Sequence, residues 1–154
     1  MLIVALGAAG LLGAGPAMLN EPMVYAQGAS ALPALRSFAG TWNLMFEEKH
    51  FATMILKEQD GRLTGSLTNE SLGMNEEGRI TRADARTGTS PVVRTVLEGQ
   101  VLHIVEKDGA DEIEWAMTLK SETRATLKIE GAGAPANAQP IELERVWSEP
   151  PVQP

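Results

Sequence analysis

The sequence predicts an all-β protein whose antiparallel, up-and-down meander of eight to nine strands closes into a barrel. From Gly40 onward, apolar and polar residues alternate over short runs, and turn signals recur at roughly 8–12-residue intervals. The alternation is one-sided, which indicates that each strand has one buried and one solvated face. An open sheet of this length would expose long edges, and closure into a barrel removes them.

The first two strands follow one another directly. The segment "TWNLMFEE" places Trp42, Leu44 and Phe46 on one face of the first strand. The segment "FATMILKE" is the second strand, and "QDGR" follows it with Asp60 and Gly61, a residue pair that favours a tight turn. The turn predicts that a third strand pairs with the second.

The third strand and the middle of the chain are less regular. The segment "LTGSLTN" carries Gly65 at a mid-strand position, where glycine permits a bend or the close approach of a neighbour. We interpret residues 70–78 as a loop and residues 79–86 as a polar or edge strand. Pro91 then begins a new strand, a position that proline tolerates.

The second half of the chain alternates clearly. "VVRTVLEGQVLHIVEK" predicts a hairpin, and "DGADE" predicts the turn after it. Three strands follow, "EIEWAMTLK", "RATLKIE" and "PIELERVW", with the loop "GAGAPANAQ" before the last of them. Their predicted inward residues are Ile113, Trp115, Met117, Leu119, Ala125, Leu127, Ile129, Ile141, Leu143, Arg145 and Trp147.

One of these predicted inward residues is charged. A buried guanidinium such as that of Arg145 requires a stacking surface and several hydrogen-bond acceptors. Trp42 supplies an aromatic face, and carbonyl groups at the closed end of a barrel supply acceptors. This pairing requires that the first and last strands are neighbours, as they are in a closed barrel.

Gly40-x-Trp42 on the first strand and Arg145 on the last resemble the structural signature of the lipocalin and calycin superfamily. In that family the Trp and Arg side chains stack across the closed end of the barrel. The chain resembles most the small lipocalin-like barrel domains of exported bacterial proteins, which implies binding of a small apolar or amphipathic ligand. It lacks the long first loop, the mid-chain Thr-Asp-Tyr type of motif and the disulfide of true lipocalins, which argues against a capacious pocket.

Residues 1–26 differ in character from the rest of the chain. An apolar run and a small-residue stretch with Val24-Tyr25-Ala26 resemble a secretory signal peptide and its cleavage site. The alternative is a membrane segment, because the run approaches the ~20 apolar residues that span a bilayer. We predict a signal peptide or membrane segment (1–26), a linker (27–37), a lipocalin-like barrel (38–148) and a proline-rich tail (149–154). The expected localisation is secreted or periplasmic, with anchoring by residues 1–26 if they are retained.

Composition excludes several classes of partner. The net charge is −7, so binding to nucleic acid or to anionic lipid is electrostatically opposed. The chain has no cysteine, which excludes disulfides, thiol nucleophiles and cysteine-based metal sites. We predict a monomer without a cofactor that contacts a membrane only through residues 1–26, if these are uncleaved.

No residue pattern predicts catalysis or metal binding. His50 and His103 are not spaced as a metal motif, and no nucleophile motif of the G-x-S-x-G type occurs. Paired glutamates such as Glu142 and Glu144 lie on predicted outer faces and indicate a solvated surface. We therefore predict no catalytic residues, no metal site and no enzyme activity.

Two arginines are candidate ligand contacts. Arg82 and Arg86 share a predicted face with Ile80, so an inward turn of that face would bring two guanidiniums into the lumen. There they would hold the carboxylate of an anionic ligand. The alternative is an edge strand whose charges are solvated.

The other candidate ligand contacts are His103, Trp115 and Met117. The histidine shares a face with Val101 and Val105, which would turn it inward, whereas a hydrogen-bonded or edge histidine is the alternative. Bulky residues such as Trp115 and Met117 either line a ligand cavity or fill the lumen. Two functions remain open: an exported barrel that binds a small apolar or amphipathic ligand, or a densely packed, non-enzymatic interaction or accessory module of a membrane or envelope protein.

Overall fold

The computed structural model describes residues 33–147 and shows a closed antiparallel barrel. Each strand pairs with its neighbours in sequence, and the last strand pairs with the first. The elements are a 3₁₀ helix (Leu35–Phe38) and strands β1 (Gly40–Phe46), β2 (Lys49–Gln59), β3 (Arg62–Met74), β4 (Ile80–Glu98), β5 (Val101–Asp108), β6 (Asp111–Leu119), β7 (Arg124–Glu130) and β8 (Ile141–Val146). The predicted all-β class and up-and-down barrel are confirmed, with eight strands.

Barrel closure depends on β1, which pairs with β2 on one side and with β8 on the other. Trp42 lies opposite Met54 of β2 and opposite Arg145 of β8. We call the end at which β1 begins the closed end. The opposite end, which carries the β1–β2, β3–β4, β5–β6 and β7–β8 connections, is called the mouth.

Large apolar side chains fill much of the lumen. Alternation along each strand directs every second side chain inward, which explains why the buried positions of β1, β6 and β8 recur at every second residue. Burial of each large apolar side chain favours folding by about 1.5–3 kcal/mol. The largest side chains with almost no exposed surface are Trp42, Trp115, Phe38, Leu44, Met54, Leu56, Leu67, Leu102, Ile104, Met117, Leu127 and Leu143.

The prediction for the middle of the chain was partly wrong: a polar edge strand at 79–86 is confirmed within β4, whereas the loop at 70–78 and the strand start at Pro91 are not. β3 continues to Met74 through the predicted loop at 70–78, and β4 is one strand of 19 residues that runs through Pro91. β3 pairs with β2 only as far as Leu67, and β4 pairs with β5 only from Val92 onward. Residues 68–74 and 80–89 therefore pair only with each other, and we call this two-stranded extension the arm. With one neighbour per strand, the arm does not need the alternation that marks a barrel strand. β4 has no β5 partner before Val92, so its free edge at the base of the arm admits Pro91.

The arm lies across the mouth. At its tip, the Gly78 carbonyl accepts a 2.8 Å hydrogen bond from the backbone N–H of Gln139, and Asn137 Nδ2 donates to the Glu76 carbonyl at 3.2 Å. Gln139 and Asn137 belong to the β7–β8 connection. In a ring of eight strands this connection is opposite the β3–β4 connection, so the arm spans the barrel.

The underside of the arm packs on the barrel core through Leu72 and Ile80, which are partly buried. A side-chain hydrogen bond of 2.8 Å from Ser90 Oγ to Asn69 Oδ1 joins β4 to β3 at the base of the arm. The arm is thus held at its base, along its underside and at its tip.

The predicted terminal segments lie outside the described residues. These are the signal peptide or membrane segment (1–26) and the proline-rich tail (149–154). The described part of the predicted linker (27–37) leads into the 3₁₀ helix. No helix within residues 33–147 is long and apolar enough to cross a membrane.

Candidate functional site

The predicted structural signature lies at the closed end. Arg145 stacks on Trp42, with 4.3 Å between the guanidinium carbon and the ring centroid. Arg145 Nη2 donates a 2.5 Å hydrogen bond to the Ser37 carbonyl, and Trp42 Nε1 donates a 2.9 Å bond to the Phe38 carbonyl. Gly40 begins β1 beside the stack, where a Cβ would lie 3.8 Å from Arg145 Cδ. The 3₁₀ helix is thereby bonded to the first and last strands.

This arrangement has a structural role, since it closes one end of the barrel. Burial lowers the pKa of the Arg145 guanidinium from its ordinary value, and the Glu122 carboxylate opposes that effect. On the second face of Arg145, the Trp147 ring centroid is 5.8 Å from the guanidinium carbon. Trp147 was predicted to point inward but is 63% exposed, because it follows the last residue of β8.

The structure does not place Arg82 and Arg86 in the lumen, so that hypothesis is wrong about their position. Both side chains are exposed, and Arg82 forms an ion pair with Asp84. The register explains why: Met74 pairs with Ile80, but its neighbour Gly73 pairs with Arg82. Because cross-strand partners share a face, this irregularity puts Arg82 on the face opposite Ile80. The alternative interpretation, an edge strand whose charged side chains are solvated, agrees with the positions of both arginines.

His103 also lies outside the lumen. Its strand directs Leu102 and Ile104 inward, so the predicted inward face was the wrong one. On the outside, His103 Nδ1 is 3.2 Å from Glu130 Oε2, and Nε2 is 3.8 Å from Glu98 Oε2. The hydrogen-bonded histidine, the alternative interpretation, is what the structure contains.

Trp115 and Met117 do point into the lumen, as predicted. Met117 has no exposed surface and Trp115 is 2% exposed. The five candidate ligand contacts therefore do not converge: two arginines and a histidine face outward, while Trp115 and Met117 face inward.

A polar site that the sequence analysis missed lies beside Trp115, toward the mouth. Glu106 of β5 points inward and is 2% exposed, between Val92 of β4 and Ile113 of β6. The Trp115 N–H favours the charged form of the Glu106 carboxyl. Even so, Trp115 Nε1 and Glu106 Oε2 are buried without a hydrogen-bond partner. An unsatisfied group of this kind costs about 1–3 kcal/mol, so a polar partner is expected at the pair.

Two further carboxyl groups act on this site. Glu70 of the arm shares a face with Leu72, which packs on the core, and Asp108 lies at the mouth end of β5. Burial, with the charges of Glu106 and Asp108, raises the pKa of Glu70 to about 8. Burial, with Asp108, raises the pKa of Glu106 to about 7, although the Trp115 N–H acts in the opposite direction. We call Glu70, Glu106, Asp108 and Trp115 the mouth site.

The sequence carries a weak signal for part of the mouth site. In "VLHIVEK", apolar residues occupy both faces, so period 2 does not show which face is inward. Glu106 lies on the same face as Leu102 and Ile104, so it is a buried acid if that face is the inward one. Glu70 gave no signal, because a register irregularity between Thr68 and Glu70 sets its direction.

Residues of the described part of the chain line two grooves on the outer surface. The larger, about 410 Å³, is lined mainly by charged residues that include Glu47, Glu48, Arg124, Glu142 and Glu144. The smaller, about 190 Å³, surrounds His103. Neither groove includes Glu70 or Glu106 in its lining.

Comparison with known proteins gave no match among protein-family models, curated proteins or solved structures. The structure is consistent with a lipocalin-like barrel, since it has eight antiparallel strands and a stacked Trp and Arg at one end. Membership of the lipocalin and calycin superfamily remains an interpretation of these features.

Proposed function

We propose that this protein is a non-enzymatic binding barrel that holds a small amphipathic molecule at its mouth, beneath the arm. The observation that carries the proposal is the pair of buried, unpartnered polar atoms, Glu106 Oε2 and Trp115 Nε1. Glu106 Oε2 is able to accept a bond from an N–H or O–H group of the ligand, and the Trp115 N–H favours the ionised form of that carboxyl.

The packing of the lumen limits the size of the ligand. Met117 and Leu127 have no exposed surface, so the space beneath the mouth site is already filled. The apolar part of the ligand therefore lies near the mouth, against partly buried residues such as Leu72, Ile80 and Ile113. This fits a small amphipathic molecule better than a long lipid chain.

The arm is the proposed route of entry. Its strands pair only with each other, so it opens without breaking a barrel strand pair. Opening breaks the two hydrogen bonds at its tip and exposes Leu72 and Ile80. Such segments with few partners belong to the least stable part of a fold, from which lids are drawn.

Export remains part of this proposal. A signal peptide at residues 1–26 would deliver the barrel outside the cytoplasm, where a binding protein meets secreted or envelope molecules. Retention of the segment would anchor the same barrel to a membrane.

The proposal is tested by native mass spectrometry of the full chain purified from its source. We expect a co-purifying small molecule on the parent protein and roughly tenfold less of it on Trp115→Phe, which removes the indole N–H but keeps a ring. Trp147→Phe, the same change at the closed end, is the matched control and should retain the molecule. A parent protein that carries nothing and binds neither 1-octanol nor octylamine would overturn the proposal.

A densely packed accessory module is the second candidate function. The filled lumen favours it, because the largest inward side chains have almost no exposed surface. In that case the mouth site is only a buried acid pair, and the barrel acts through its outer surface on a membrane or envelope protein. Replacement of Glu106 by Gln would then change stability but no binding property.

A further inference from the structure

We infer that the polar end of the ligand is a protonated amine, held by the carboxyl groups of Glu106 and Glu70 under the arm. This inference rests on the proposed function and specifies the chemical class of the ligand. It comes from two features of the mouth site: its acidity, which no ion pair among residues 33–147 compensates, and the position of Trp115.

The acidity of the site has no counter-charge within the described residues. Glu70, Glu106 and Asp108 take part in none of the ion pairs formed by residues 33–147. Buried carboxyl groups ordinarily pair with a cation or become protonated. A ligand ammonium is a cation that fits: it is compact, and its N–H groups donate to carboxylate oxygens.

Trp115 adds two contacts that suit an ammonium. Its N–H favours the charged form of Glu106, and Oε2 of that carboxyl has no hydrogen-bond partner and is able to accept a bond from the ligand. Its indole face also attracts a cation, an interaction that is strongest when water is excluded. The indole is 2% exposed, so water is excluded here.

Other ligand classes fit less well. A carboxylate would lie beside Glu106, whose charge also acts on Glu70, while the two arginines that were expected to receive it face solvent. No group of three or more metal-ligating side chains comes together in the part of the chain that the structure describes. A neutral alcohol would bond to a protonated acid but would leave the acidity of the site uncompensated.

Amine binding has a defined proton balance. An ammonium selects the ionised forms of Glu106 and Glu70, so binding at neutral pH releases a proton from the site to solvent. The charges of Glu106 and Asp108 act on Glu70, which lies on the arm. Asp108 on β5 and the Trp115 N–H on β6 act on Glu106. Affinity for an amine should therefore increase from pH 5.5 to pH 8.

The experiment compares three probes with equal chains on the full protein: octylamine, 1-octanol and octanoate. Binding is followed by tryptophan fluorescence and calorimetry at pH 8 and pH 5.5. We expect octylamine to bind roughly tenfold or more tightly than 1-octanol at pH 8, and to lose that advantage at pH 5.5. Octanoate should bind most weakly at pH 8.

Two variants assign the effect to the mouth site. Glu106→Gln should weaken octylamine binding roughly tenfold at pH 8 and leave 1-octanol binding nearly unchanged. Glu70→Gln repeats the test on the arm, outside the barrel strand pairs, in case the first variant does not fold. Glu142→Gln, in the outer groove, is the control and should bind octylamine as the parent does.

The possible outcomes separate the two proposals. Equal binding of octylamine and 1-octanol, or an octylamine affinity indifferent to both Gln variants, would overturn the amine inference and leave the binding barrel intact. Failure of all three probes to bind would overturn the binding barrel itself. Tighter binding of octanoate would show that an anion is preferred and would contradict the amine.

Discussion

Arg145 and Trp42 are direct cross-strand partners, and their stacked side chains lie 4.3 Å apart between guanidinium carbon and ring centroid. One residue is near the start of the barrel and the other near its end, so the contact joins the first strand to the last. Arg145 also bonds to Ser37, which ties the preceding 3₁₀ helix to the same point. The chain has no cysteine, so this contact joins the two ends of the barrel without a disulfide.

Removal of the Arg145 guanidinium should show how much its contact with Trp42 contributes to the free energy of unfolding. Arg145→Ala should lower the free energy of unfolding by about 2 kcal/mol, because it removes a partly desolvated cation–π contact and a charged hydrogen bond. Arg145→Lys should recover little of this, since an ammonium lacks the planar fork that both stacks and donates. Urea denaturation of the full chain gives the values.

The control for this prediction is Arg124→Ala. Arg124 forms an exposed ion pair with Glu144 at 3.1 Å, and its loss should cost less than about 1 kcal/mol. A double-mutant cycle of Arg145→Ala with Trp42→Phe isolates the stack. A coupling energy near zero would contradict its contribution to stability.

The docking of the arm should depend on the absence of a side chain at Gly78. A Cβ there would lie 2.3 Å from the Asn137 carbonyl oxygen, and φ is +74°. Gly61→Ala is a matched control, because its φ is +73° and nothing lies within 4 Å of its Cβ position. Backbone strain should cost about 1–2 kcal/mol at both sites, and the clash should add about 1–3 kcal/mol only at Gly78.

Hydrogen exchange shows which part of the protein Gly78→Ala destabilises. Amides of residues 70–85 should exchange faster in this variant, while those of β1 and β8 stay protected, because opening of the arm breaks no pairing between barrel strands. Uniformly faster exchange over all strands would contradict an arm that moves independently. In Gly61→Ala the arm should keep its protection.

The buried acids predict the pH dependence of stability. The pKa values of Glu106 and Glu70 rise from 4.5 to about 7 and about 8 on folding, so between these limits the folded state holds more protons than the unfolded state. Their contribution to stability is therefore full below about pH 4.5 and declines as the pH rises, until both groups are ionised above about pH 8. Denaturation midpoints measured from pH 5 to pH 9 test this.

Gln variants assign that pH dependence to individual groups. Glu106→Gln resembles the protonated acid, so it should match the parent near pH 5 and exceed it at pH 9, by on the order of 2 kcal/mol. Glu70→Gln should behave in the same direction, with its effect extending to higher pH. A variant less stable than the parent at pH 9 would show that the ionised carboxylate is stabilised within the fold.

The sequence predicted those parts of the protein that depend on side-chain alternation and failed where register decides. Trp42 and Arg145 were predicted to stack and do so, since closure of the barrel makes the first and last strands neighbours. Arg82 was placed on the face of Ile80 because alternation alone says so, yet a register irregularity between them reverses it. Glu106 was missed because both faces of its strand are apolar, and the choice between them depends on which neighbours the barrel supplies.

Gly65 should be the least replaceable glycine of the barrel wall. A Cβ at this position would lie 1.8 Å from the Ile55 carbonyl oxygen, so β2 and β3 would have to separate where their backbones pair. We expect Gly65→Ala to cost roughly 3 kcal/mol or more, because backbone atoms cannot yield as a side-chain end does. Gly73→Ala, on the same strand but 3.3 Å from the Arg82 Cβ, should stay within about 1 kcal/mol of the parent. Equal urea midpoints for the two variants would contradict the close approach at Gly65.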